Sequence, residues 1–453
     1  MDILSDYSFF LWAIALFLVL LVLIPFIFKE VKKKKAAVKL INRIIPVSSL
    51  TEQDLARIET LHPEGKKMHP AINTSTCVGC GTCVLNCPEK GALYLINGKS
   101  TLVNPFACKC HMDCERQCPT GSIRLVEYGQ RLKIKIPRID EHYESNIKGI
   151  YIIGALSGAG LIKEAINQGR AAVNHIMKDV FPEDMPTVLV VGAGPAGLSA
   201  RLSCRKFGLP ALCLEKDNTA NTIRNFPKKK ILMAEPVEMP IYGPLWVGDT
   251  TREELLEAWD RILKKTGVPI VTGSRLEEIH GTNGQFTVTA SGQEYQCHKI
   301  ILALGSRGVP RKLNVPGEDG ANVFYNLLDA EEFAASEVTI SGAGDSAVEA
   351  ALSLLSQGCH VSMVVRGEGF PKVKSKNKVK IDQAIAKKSI TPYFNSQITL
   401  IEKEAVTIAS TLTDLTARQT QRIKNNYVFI MVGGELPFQL LEKFGIQIVE
   451  KEI

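Results

Sequence analysis

The chain opens with a run of twenty apolar residues at positions 9–28. At about 1.5 Å per residue, a helix of that length spans about 30 Å, the thickness of a bilayer's hydrocarbon core. Six lysines and one glutamate follow within positions 29–39, and the positive-inside rule then places the rest of the chain in the cytoplasm. The pattern predicts a single-pass anchor in the inner (cytoplasmic) membrane over 1–28 and a basic cytoplasmic linker over 29–70. A cleaved signal peptide is the alternative, although no basic residue precedes the run.

Residues 187–215 combine a strand pattern with a glycine-rich turn and a helix. An apolar stretch at 187–191 leads into Gly-Ala-Gly-Pro-Ala-Gly at 192–197. A helical pattern covers 195–206, and the next strand pattern covers 211–214, with Glu215 at its end. In a dinucleotide-binding fingerprint the glycines allow a tight turn and a close approach of the pyrophosphate to the helix N-terminus, and the acid accepts from ribose hydroxyls. This stretch therefore predicts one bound dinucleotide.

A second fingerprint follows about 150 residues later, a spacing of the order of one domain. The strand pattern at 338–340 precedes Gly-Ala-Gly-Asp-Ser-Ala at 342–347, a helical pattern runs over 345–357, and a further strand pattern occupies 360–365. A second bound dinucleotide is therefore predicted, in a domain of its own.

The second fingerprint carries basic residues where an acid would favour the free ribose of NAD. Arg366 ends the strand pattern, and Lys372, Lys374 and Lys376 follow it. These side chains favour the 2′-phosphate of NADP. Glu368 lies among them, so a solvated basic loop is the alternative, and NAD stays open.

Two cysteine runs carry the other candidate chemistry. The first has the spacing Cys-x2-Cys-x2-Cys-x3-Cys-Pro over 77–88, and an imperfect copy occupies 108–119. Bacterial-type ferredoxins hold iron-sulfur clusters with this spacing, and the fourth cysteine of each run ligates the other cluster. Two 4Fe-4S clusters and one-electron transfer are therefore predicted for a module over 71–127. The predicted ligands are Cys77, Cys80, Cys83 and Cys118 for the first cluster, and Cys87, Cys108 and Cys114 for the second.

The fourth ligand of the second cluster has two candidates. The regular spacing after Cys108 falls on His111, while a thiol stands one position earlier, at Cys110. Thiolate is the usual iron ligand, which favours Cys110, and a histidine ligand would raise the reduction potential of the cluster. A zinc site is disfavoured because such sites pair their cysteines two and two across a gap.

Composition fits a soluble enzyme behind the anchor. The 453 residues are 45% apolar and 22% charged, and this length predicts about three modules. Four of the twelve cysteines lie outside the runs and are predicted to be buried and inert. They are Cys204, Cys213, Cys297 and Cys359. The basic residues cluster where they would face lipid, so nucleic-acid binding is not predicted.

Over residues 138–453 the chain resembles thioredoxin reductase and its flavoprotein relatives. The resemblance rests on the two fingerprints, on Ile-Leu-Ala-Leu-Gly at 301–305 with Val-Pro-Gly-Glu at 315–318, and on Val-Gly-Gly-Glu-Leu-Pro at 432–437. It implies an FAD domain interrupted by an NAD(P) domain, with the last two motifs as the crossings between them. These crossings are expected to act as a hinge.

The chain departs from that family in three ways. The segment 324–330 lacks the redox-active cysteine pair that the family places there, so the flavin is expected to exchange electrons with the clusters instead. The resemblance places the strand and helix that close the FAD domain at 138–176, which implies a circular permutation with residues 446–449 near Arg138. Ala155 replaces an aspartate that usually binds the ribityl chain, and the helix start near Gly160 is expected to face the flavin or the pyrophosphate.

The predicted architecture is α/β, with two Rossmann-like domains of thioredoxin reductase type after a small α+β two-cluster ferredoxin-like domain and one transmembrane helix. The FAD domain covers 138–335 and 430–453, and the NAD(P) domain covers 336–429. Cofactor-binding residues are predicted to be Gly154, Ala155, Gly192, Gly194, Pro195, Ala196, Gly197, Glu215, Lys216, Gly305, Gly342, Gly344, Asp345, Ser346, Ala347 and Arg366.

The predicted function is that of an FAD-dependent NAD(P)H oxidoreductase that passes electrons through two 4Fe-4S clusters. The cofactors supply the chemistry, so no acid, base or nucleophile is named. The expected acceptor is a quinone, a membrane cytochrome or a ferredoxin, and a homodimer is considered. Two alternatives stay open: an electron-relay subunit without enzymatic activity, and a reductase of small disulfides that uses Cys213 or Cys297.

Overall fold

The computed structural model describes residues 68–452, apart from 129, 132, 182–185, 229–230, 234–235, 246–248, 307–309, 372 and 413–419. The apolar run at 9–28 and positions 29–67 of the predicted linker lie outside the described residues, whereas positions 68–70 belong to the first strand of the cysteine module.

The helices that the structure describes give no support to the predicted membrane location. Within residues 68–452, none of them has the length and apolar composition that crossing a bilayer requires. The longest are Ile162–Ile176 and Arg252–Thr266, with 15 residues each, whereas a span needs about 20. We therefore withdraw the single-pass membrane location.

Two short helices and two strand pairs build the module that carries the cysteine runs. Its outer strands pair antiparallel, and its inner hairpin turns at Asn97 and Gly98, both left-handed, as a two-residue Asn-Gly turn requires. Cys83, Leu93, Cys114 and Ile123 form its small core. In chain order the elements are β1 Met68–Ile72, α1 Thr82–Asn86, β2 Leu93–Ile96, β3 Lys99–Leu102, α2 Asp113–Arg116 and β4 Ile123–Glu127.

The first dinucleotide-binding domain is built on a parallel sheet with the order β6-β16-β7-β8, beside a three-stranded antiparallel layer, β13-β14-β15. Its elements are β5 Lys133–Pro137, β6 Ile150–Ile152, α3 Ile162–Ile176, β7 Val188–Val191, α4 Pro195–Lys206, β8 Ala211–Leu214, α5 Asn221–Arg224, β9 Ile231–Met233, β10 Val237–Met239, β11 Gly243–Leu245, β12 Asp249–Thr251, α6 Arg252–Thr266, β13 Leu276–Thr282, β14 Gln285–Ala290, β15 Gln293–Cys297 and β16 Lys299–Leu302.

Close helix packing ties strand β6 and helix α3 to this sheet. β6 pairs in parallel with β16, and α3 lies against the fingerprint helix α4. A Cβ on Gly169 would stand 2.4 Å from the Ala196 carbonyl oxygen, so only glycine allows α3 this close. Ile166, Val173 and Ile176 on the same helix are fully buried.

The second dinucleotide-binding domain repeats the plan with a five-stranded parallel sheet, β17-β24-β18-β19-β20, and an antiparallel layer, β21-β22-β23. Its elements are β17 Val323–Phe324, β18 Glu337–Ser341, α7 Asp345–Ser356, β19 His360–Val364, α8 Ser375–Ala386, β20 Ile390–Tyr393, β21 Ser396–Ile401, β22 Ala405–Ser410, β23 Thr420–Lys424 and β24 Tyr427–Ile430. Both fingerprints form the predicted strand, turn and helix.

The end of the chain returns to the first domain. After α9 Phe438–Lys443, strand β25 Ile448–Glu452 pairs antiparallel with β5, which lies just before Arg138. The Arg138 amide donates to the Gln447 carbonyl at 2.7 Å. Residues 446–449 therefore lie beside Arg138, as the sequence predicts.

The two predicted crossings run side by side. Pro310 and Gly434 form an antiparallel bridge, and the Arg311 amide donates to the Gly433 carbonyl at 3.0 Å. A paired double connection constrains how the domains reorient; its use as a hinge stays a prediction.

A buried carboxylate organises the first crossing. Glu318 is 5% exposed and accepts hydrogen bonds from the amides of Leu313 (2.8 Å) and Asn314 (2.6 Å) and from the Tyr325 hydroxyl (2.9 Å). Burial raises the pKa of Glu318, but these hydrogen bonds outweigh it and hold the pKa below its ordinary value. The charged carboxylate therefore stabilises the fold.

We predict that Glu318→Gln lowers the free energy of unfolding by about 1–3 kcal/mol at pH 7, because one donor-rich site loses its charged acceptor. A lowered folded pKa means that this contribution is present above the unfolded pKa and is lost as pH falls through the folded pKa. Urea titrations should thus show a difference between wild type and Glu318→Gln that shrinks below about pH 4. Exposed Glu294 supplies the matched control, Glu294→Gln. Equal midpoints for all three proteins at pH 7 would contradict this account.

Candidate functional site

The first fingerprint turn is crowded by the chain on two sides and open on the third. A Cβ on Gly192 would stand 2.4 Å from the Ala303 carbonyl oxygen, and one on Gly197 would stand 1.8 Å from the Gly192 carbonyl oxygen. A Cβ on Gly194 would meet nothing within 4 Å. Gly194 is also the residue that precedes helix α4. The space in front of the helix N-terminus therefore fits the pyrophosphate of FAD.

Glu215 supports this turn from the end of β8. Its Oε2 accepts from the Ala193 amide at 2.7 Å and its Oε1 accepts from the Asp217 amide at 3.1 Å, and the residue is 7% exposed. The carboxylate is thus held directly beneath the glycines. Its contact with a ribose stays a prediction, as does any role of Lys216, whose ammonium pairs with Asp217 at 3.7 Å.

The loop after β6 lies against the same turn. A Cβ on Gly154 would stand 2.9 Å from the Ala196 Cβ, so this loop packs on the first turn of α4. Gln168 Oε1 accepts from the Gly154 amide and from the Ser157 hydroxyl, both at 2.7 Å. Ala155 is exposed at the edge of the turn. The loop after β6 therefore reaches the predicted flavin site, and the hydrogen bonds to Gln168 fix the shape of this loop.

The second fingerprint has the same division of roles. A Cβ on Gly342 would stand 2.4 Å from the Met431 carbonyl oxygen, whereas one on Gly344 would meet nothing within 4 Å. Ala347 is fully buried beneath the turn, and Ser346 is exposed. Gly305, after β16, also has open space at its Cβ position. The site fits a second dinucleotide, here NAD(P).

Of the predicted basic residues, Lys374 takes an unexpected partner. Its Nζ donates to the Pro119 carbonyl of the cysteine module at 3.0 Å, and its amide donates to Asp345 Oδ1 at 3.0 Å. Asp345 therefore braces the start of α8. Arg366 is exposed at the end of β19, where a 2′-phosphate would be reached. Lys372 lies outside the described residues.

The thiols of the two runs fall into two groups. Burial raises the pKa of Cys83, and the nearby Cys77 and Cys118 raise it further. Burial likewise raises the pKa of Cys114 to about 12, with contributions from Cys108, Cys87 and Cys83. Apart from the contribution of Cys83 to Cys114, these neighbours are the ones that the crossed ferredoxin arrangement groups together. The individual ligand assignments stay predictions.

Backbone amides point at the sulfurs of the first group. The Ser100 amide donates to Cys77 Sγ at 3.4 Å and the Ser122 amide donates to Cys118 Sγ at 3.2 Å. Burial raises the pKa of Cys118, but hydrogen bonds from Thr120 and Ser122 outweigh it and lower the pKa. Donors aimed at sulfur stabilise thiolate, the form that binds iron.

The second group surrounds a small cavity. Among the described residues, no three histidine, cysteine or acidic side chains converge on one point as a single metal ion would require. A cavity does lie between the two runs, however, and its lining includes Cys87, Cys108, Cys110, His111 and Cys114. Sulfur and imidazole donors around a cavity fit an iron-sulfur cluster, which binds its ligands at several irons.

The loop that carries Cys77 contacts the flavin-binding domain. A Cβ on Gly160, just before α3, would stand 2.5 Å from the Thr76 Cγ2 and 3.2 Å from the Ser75 carbonyl oxygen. Lys99 Nζ donates to the Cys77 carbonyl at 2.7 Å and pairs with Glu164 Oε1 at 3.5 Å. We call these contacts the Gly160 junction. The loop that carries Cys77 thus packs directly against the start of α3.

The four remaining cysteines are buried, as predicted. Cys204 and Cys297 are fully buried and Cys213 is 1% exposed, and burial raises the pKa of each to about 12. Cys359 is 3% exposed and donates to the Phe333 carbonyl at 3.0 Å. A nucleophilic thiol needs access and thiolate character, which these positions deny.

Comparison with known proteins identifies two parts of the chain. The family model for pyridine nucleotide-disulphide oxidoreductases matches residues 189–453, more than half of the chain. The chain belongs to this family. A model of the 4Fe-4S dicluster domain matches residues 69–119, which include both cysteine runs. This oxidoreductase is FAD-dependent and carries a 4Fe-4S domain.

Its relatives include reductases of two kinds. Bacilliredoxin reductase Bdr of Bacillus subtilis (strain 168) is 26% identical over 265 residues, 57% of this chain and 80% of that protein. A ferredoxin–NADP reductase of Ignicoccus hospitalis is 34% identical over 187 residues, 41% of this chain, which spans 58% of that reductase. The solved bacillithiol disulfide reductase Bdr (YpdA) of Bacillus cereus aligns with a TM-score of 0.50 and 25% identity, covering 58% of this chain and 82% of that chain.

Sequence reasoning missed the residues that join the modules. Neither Lys99 nor Glu164 carries a motif, and their contact links positions 65 residues apart. The sequence pattern predicts Gly160 only as part of a helix start and Lys374 only as a residue near the 2′-phosphate. A lone small or basic residue gives no signal of a contact that depends on how separate domains pack.

We predict that Gly194→Ala leaves the fold intact but abolishes flavin binding, because its methyl group meets no protein atom and fills the space for pyrophosphate. Gly197→Ala is the contrast: its methyl group overlaps the Gly192 carbonyl oxygen, so it should lower the free energy of unfolding by about 1–3 kcal/mol or more. Flavin absorbance and thermal unfolding of the two apoproteins would distinguish these effects. A fully yellow Gly194→Ala protein would contradict the assigned site.

Proposed function

We propose that this protein oxidises NAD(P)H and passes the electrons through two 4Fe-4S clusters to a one-electron acceptor. The observation that carries the proposal is the Gly160 junction, which puts the loop of Cys77 in contact with the domain that binds FAD. The match of residues 69–119 to a dicluster domain supports two clusters in that module. Electron transfer from FAD to the clusters needs no reactive thiol.

FAD, when bound, supplies the step from two-electron to one-electron chemistry, since it accepts a hydride and can release electrons singly. Each NAD(P)H delivers two electrons and one proton, two molecules of a one-electron acceptor take the electrons, and the proton goes to solvent. The chain's own residues orient the partners. Glu215 and the fingerprint glycines hold one dinucleotide, and Gly344 with Asp345 frames the place for the other.

NADPH is the preferred donor in this proposal. Arg366 is exposed at the end of β19, the position that distinguishes the two nucleotides, and no acid occupies that place. A ferredoxin-type acceptor fits the relatives named ferredoxin–NADP reductase. Electrons can pass between NADPH and ferredoxin in either direction, depending on the reduction potentials of the two partners. The names of the relatives therefore suggest which partners react and not in which direction the electrons flow.

Reduction of a small disulfide is the second candidate, because the Bacillus relatives are named for it. The burial of Cys204, Cys213, Cys297 and Cys359 argues against a thiol of this chain taking part. A non-enzymatic relay subunit conflicts with the intact glycine turns at both dinucleotide sites. The proposal therefore keeps the oxidoreductase.

We further infer that the flavin-binding domain is circularly permuted, with its closing segment at 138–176. Three observations support this order: the family match begins only at residue 189, β6 pairs with β16 inside the same sheet, and β25 pairs with β5. In this order the NAD(P) domain lies between the two parts of the FAD domain. It begins before the predicted boundary at 335/336, because strand β17 at Val323–Phe324 pairs with β24 in the second sheet.

The direct test is an anaerobic visible spectrum of the purified full chain before and after NADPH, with NADH in a parallel sample. We predict that NADPH bleaches both the flavin bands and the broad cluster absorbance. An Arg366→Ala variant should need about tenfold or more NADPH for the same rate, because a charge-assisted hydrogen bond to phosphate contributes about 1.5–3 kcal/mol. Flavin that bleaches while the clusters stay oxidised would overturn the relay, and a colourless protein would overturn the whole proposal.

The Gly160 junction yields a separate prediction. Gly160→Ala pushes its Cβ against the Thr76 Cγ2, so the modules must move apart. Flavin reduction by NADPH should keep its rate, whereas the following cluster reduction slows by about tenfold or more, since small displacements have large effects on rate.

The double variant Gly160→Ala with Thr76→Ser removes the methyl group nearest the new Cβ and should recover part of the rate. Gly369→Ala is the matched control, because its Cβ would meet nothing within 4 Å. Stopped-flow absorbance follows both steps. Unchanged cluster reduction in Gly160→Ala would rule out this junction as the route.

A further inference from the structure

The two cysteine runs are copies of one backbone design, offset by 31 residues. Cys77, Cys83 and Cys87 correspond to Cys108, Cys114 and Cys118 at this offset. The short helices correspond too, because α1 begins at Thr82 and α2 begins at Asp113. The same offset takes Cys80 to His111.

The backbone around these two residues follows the same path. Left-handed residues flank Cys80 on both sides, Gly79 with φ +68° and Gly81 with φ +74°. Cys110 with φ +58° and Met112 with φ +67° flank His111 in the same way. Residues other than glycine adopt this conformation at a cost of about 1 kcal/mol or more. The second run therefore repeats the backbone path of the first run although Cys110 and Met112 do not favour it. His111 therefore occupies the place of the ligand Cys80.

Cys110 occupies the place of a residue that supplies no ligand. Its counterpart is Gly79, where a Cβ would stand 2.0 Å from the Gly98 carbonyl oxygen. The thiol of Cys110 donates to the Met68 carbonyl at 2.9 Å, on strand β1. This hydrogen bond stabilises the backbone of the module at strand β1.

A carboxylate orients the imidazole. His111 Nε2 lies 3.2 Å from Glu89 Oε1, and Lys109 Nζ holds the same oxygen at 3.0 Å. Glu89 stands two residues after Cys87, the thiol that crosses over from the first run. Histidines that bind metals commonly donate their other ring N–H to a carboxylate, which fixes the ring and leaves one nitrogen for the metal. With Nε2 on Glu89, that nitrogen is Nδ1.

We propose that His111, through Nδ1, is the fourth ligand of the second cluster, with Cys87, Cys108 and Cys114. A neutral imidazole in place of a thiolate makes the site one charge less negative, and histidine ligation raises cluster potentials in the same way elsewhere. The second cluster then accepts electrons from the first. This inference rests on the proposed function for the presence of two clusters.

The test is pulsed electron-nuclear spectroscopy on the reduced full chain, which reports a nitrogen nucleus bound to a cluster. We expect a strongly coupled ring nitrogen in the wild-type protein and in Cys110→Ala. His111→Cys should lose the nitrogen coupling and keep its iron. The reduction potential of the second cluster should fall by at least about 59 mV, which for a one-electron couple is a tenfold change in the ratio of reduced to oxidised cluster. His280→Gln, at an exposed position in β13, is the matched control.

The outcomes separate this inference from the function it rests on. Wild-type protein with two clusters but without a coupled nitrogen would overturn His111 as the ligand and leave the relay standing. Loss of the second cluster in Cys110→Ala, with a wild-type spectrum in His111→Ala, would assign Cys110 instead. Protein that takes up no iron during anaerobic reconstitution would overturn the relay itself. Glu89→Gln should retain both clusters and change the nitrogen coupling, as a positioning residue does.

Discussion

The close approach of the Cys77 loop to the start of helix α3 is the contact on which the arrangement of this protein depends. A glycine at 160 lets the backbone of one module reach the side chain of Thr76 in the other, where a Cβ would stand 2.5 Å from a methyl carbon. The Lys99–Glu164 pair reinforces the contact from the side, and both side chains are about 30% exposed. Partly exposed pairs of this kind add little energy, so packing defines the junction and charge fixes its register.

The same logic of close approach explains both dinucleotide sites. In each turn one glycine is required by the chain itself, since a carbonyl oxygen of the neighbouring strand connection lies 2.4 Å from the position of its Cβ. Another glycine, Gly194 or Gly344, has no protein neighbour at all. The first kind builds the turn and the second kind leaves room for a ligand. Two glycines of one motif thus carry different physical duties.

The second dinucleotide-binding domain also contacts the cluster module, through the long side chain of Lys374. Lys374 reaches the Pro119 carbonyl, next to Cys118, while its own amide is held by Asp345 of the fingerprint helix. The first group of thiols is therefore approached from both dinucleotide-binding domains, at Thr76 and at Pro119. The second group, around Cys110 and His111, faces the surface near the exposed side chains of Met68 and Met112. This asymmetry gives the module an inner and an outer end.

Local sequence determined what local physics controls. The helix at Pro195–Lys206 and the strand at Ala211–Leu214 were predicted to the residue, because a buried strand, a glycine turn and a helix start are encoded within neighbouring positions. The cysteine spacing likewise predicted a 4Fe-4S module, which the dicluster match over residues 69–119 supports, while the ligand assignments stay predictions. The membrane location is withdrawn because no helix within the described residues could cross a bilayer, and the apolar run on which it rested lies outside them.

Only the tertiary structure decided how these parts meet. Nothing in the residues around Gly160, Lys99 or Lys374 indicates a partner, because each contact depends on the packing of domains that are far apart in the chain. Residue type alone favours Cys110 over His111, because sulfur is the usual ligand of iron, but it does not decide between them. The backbone path around them, repeated from the first run, gives His111 the place of a ligand, because conformation and not chemical preference sets where a side chain begins.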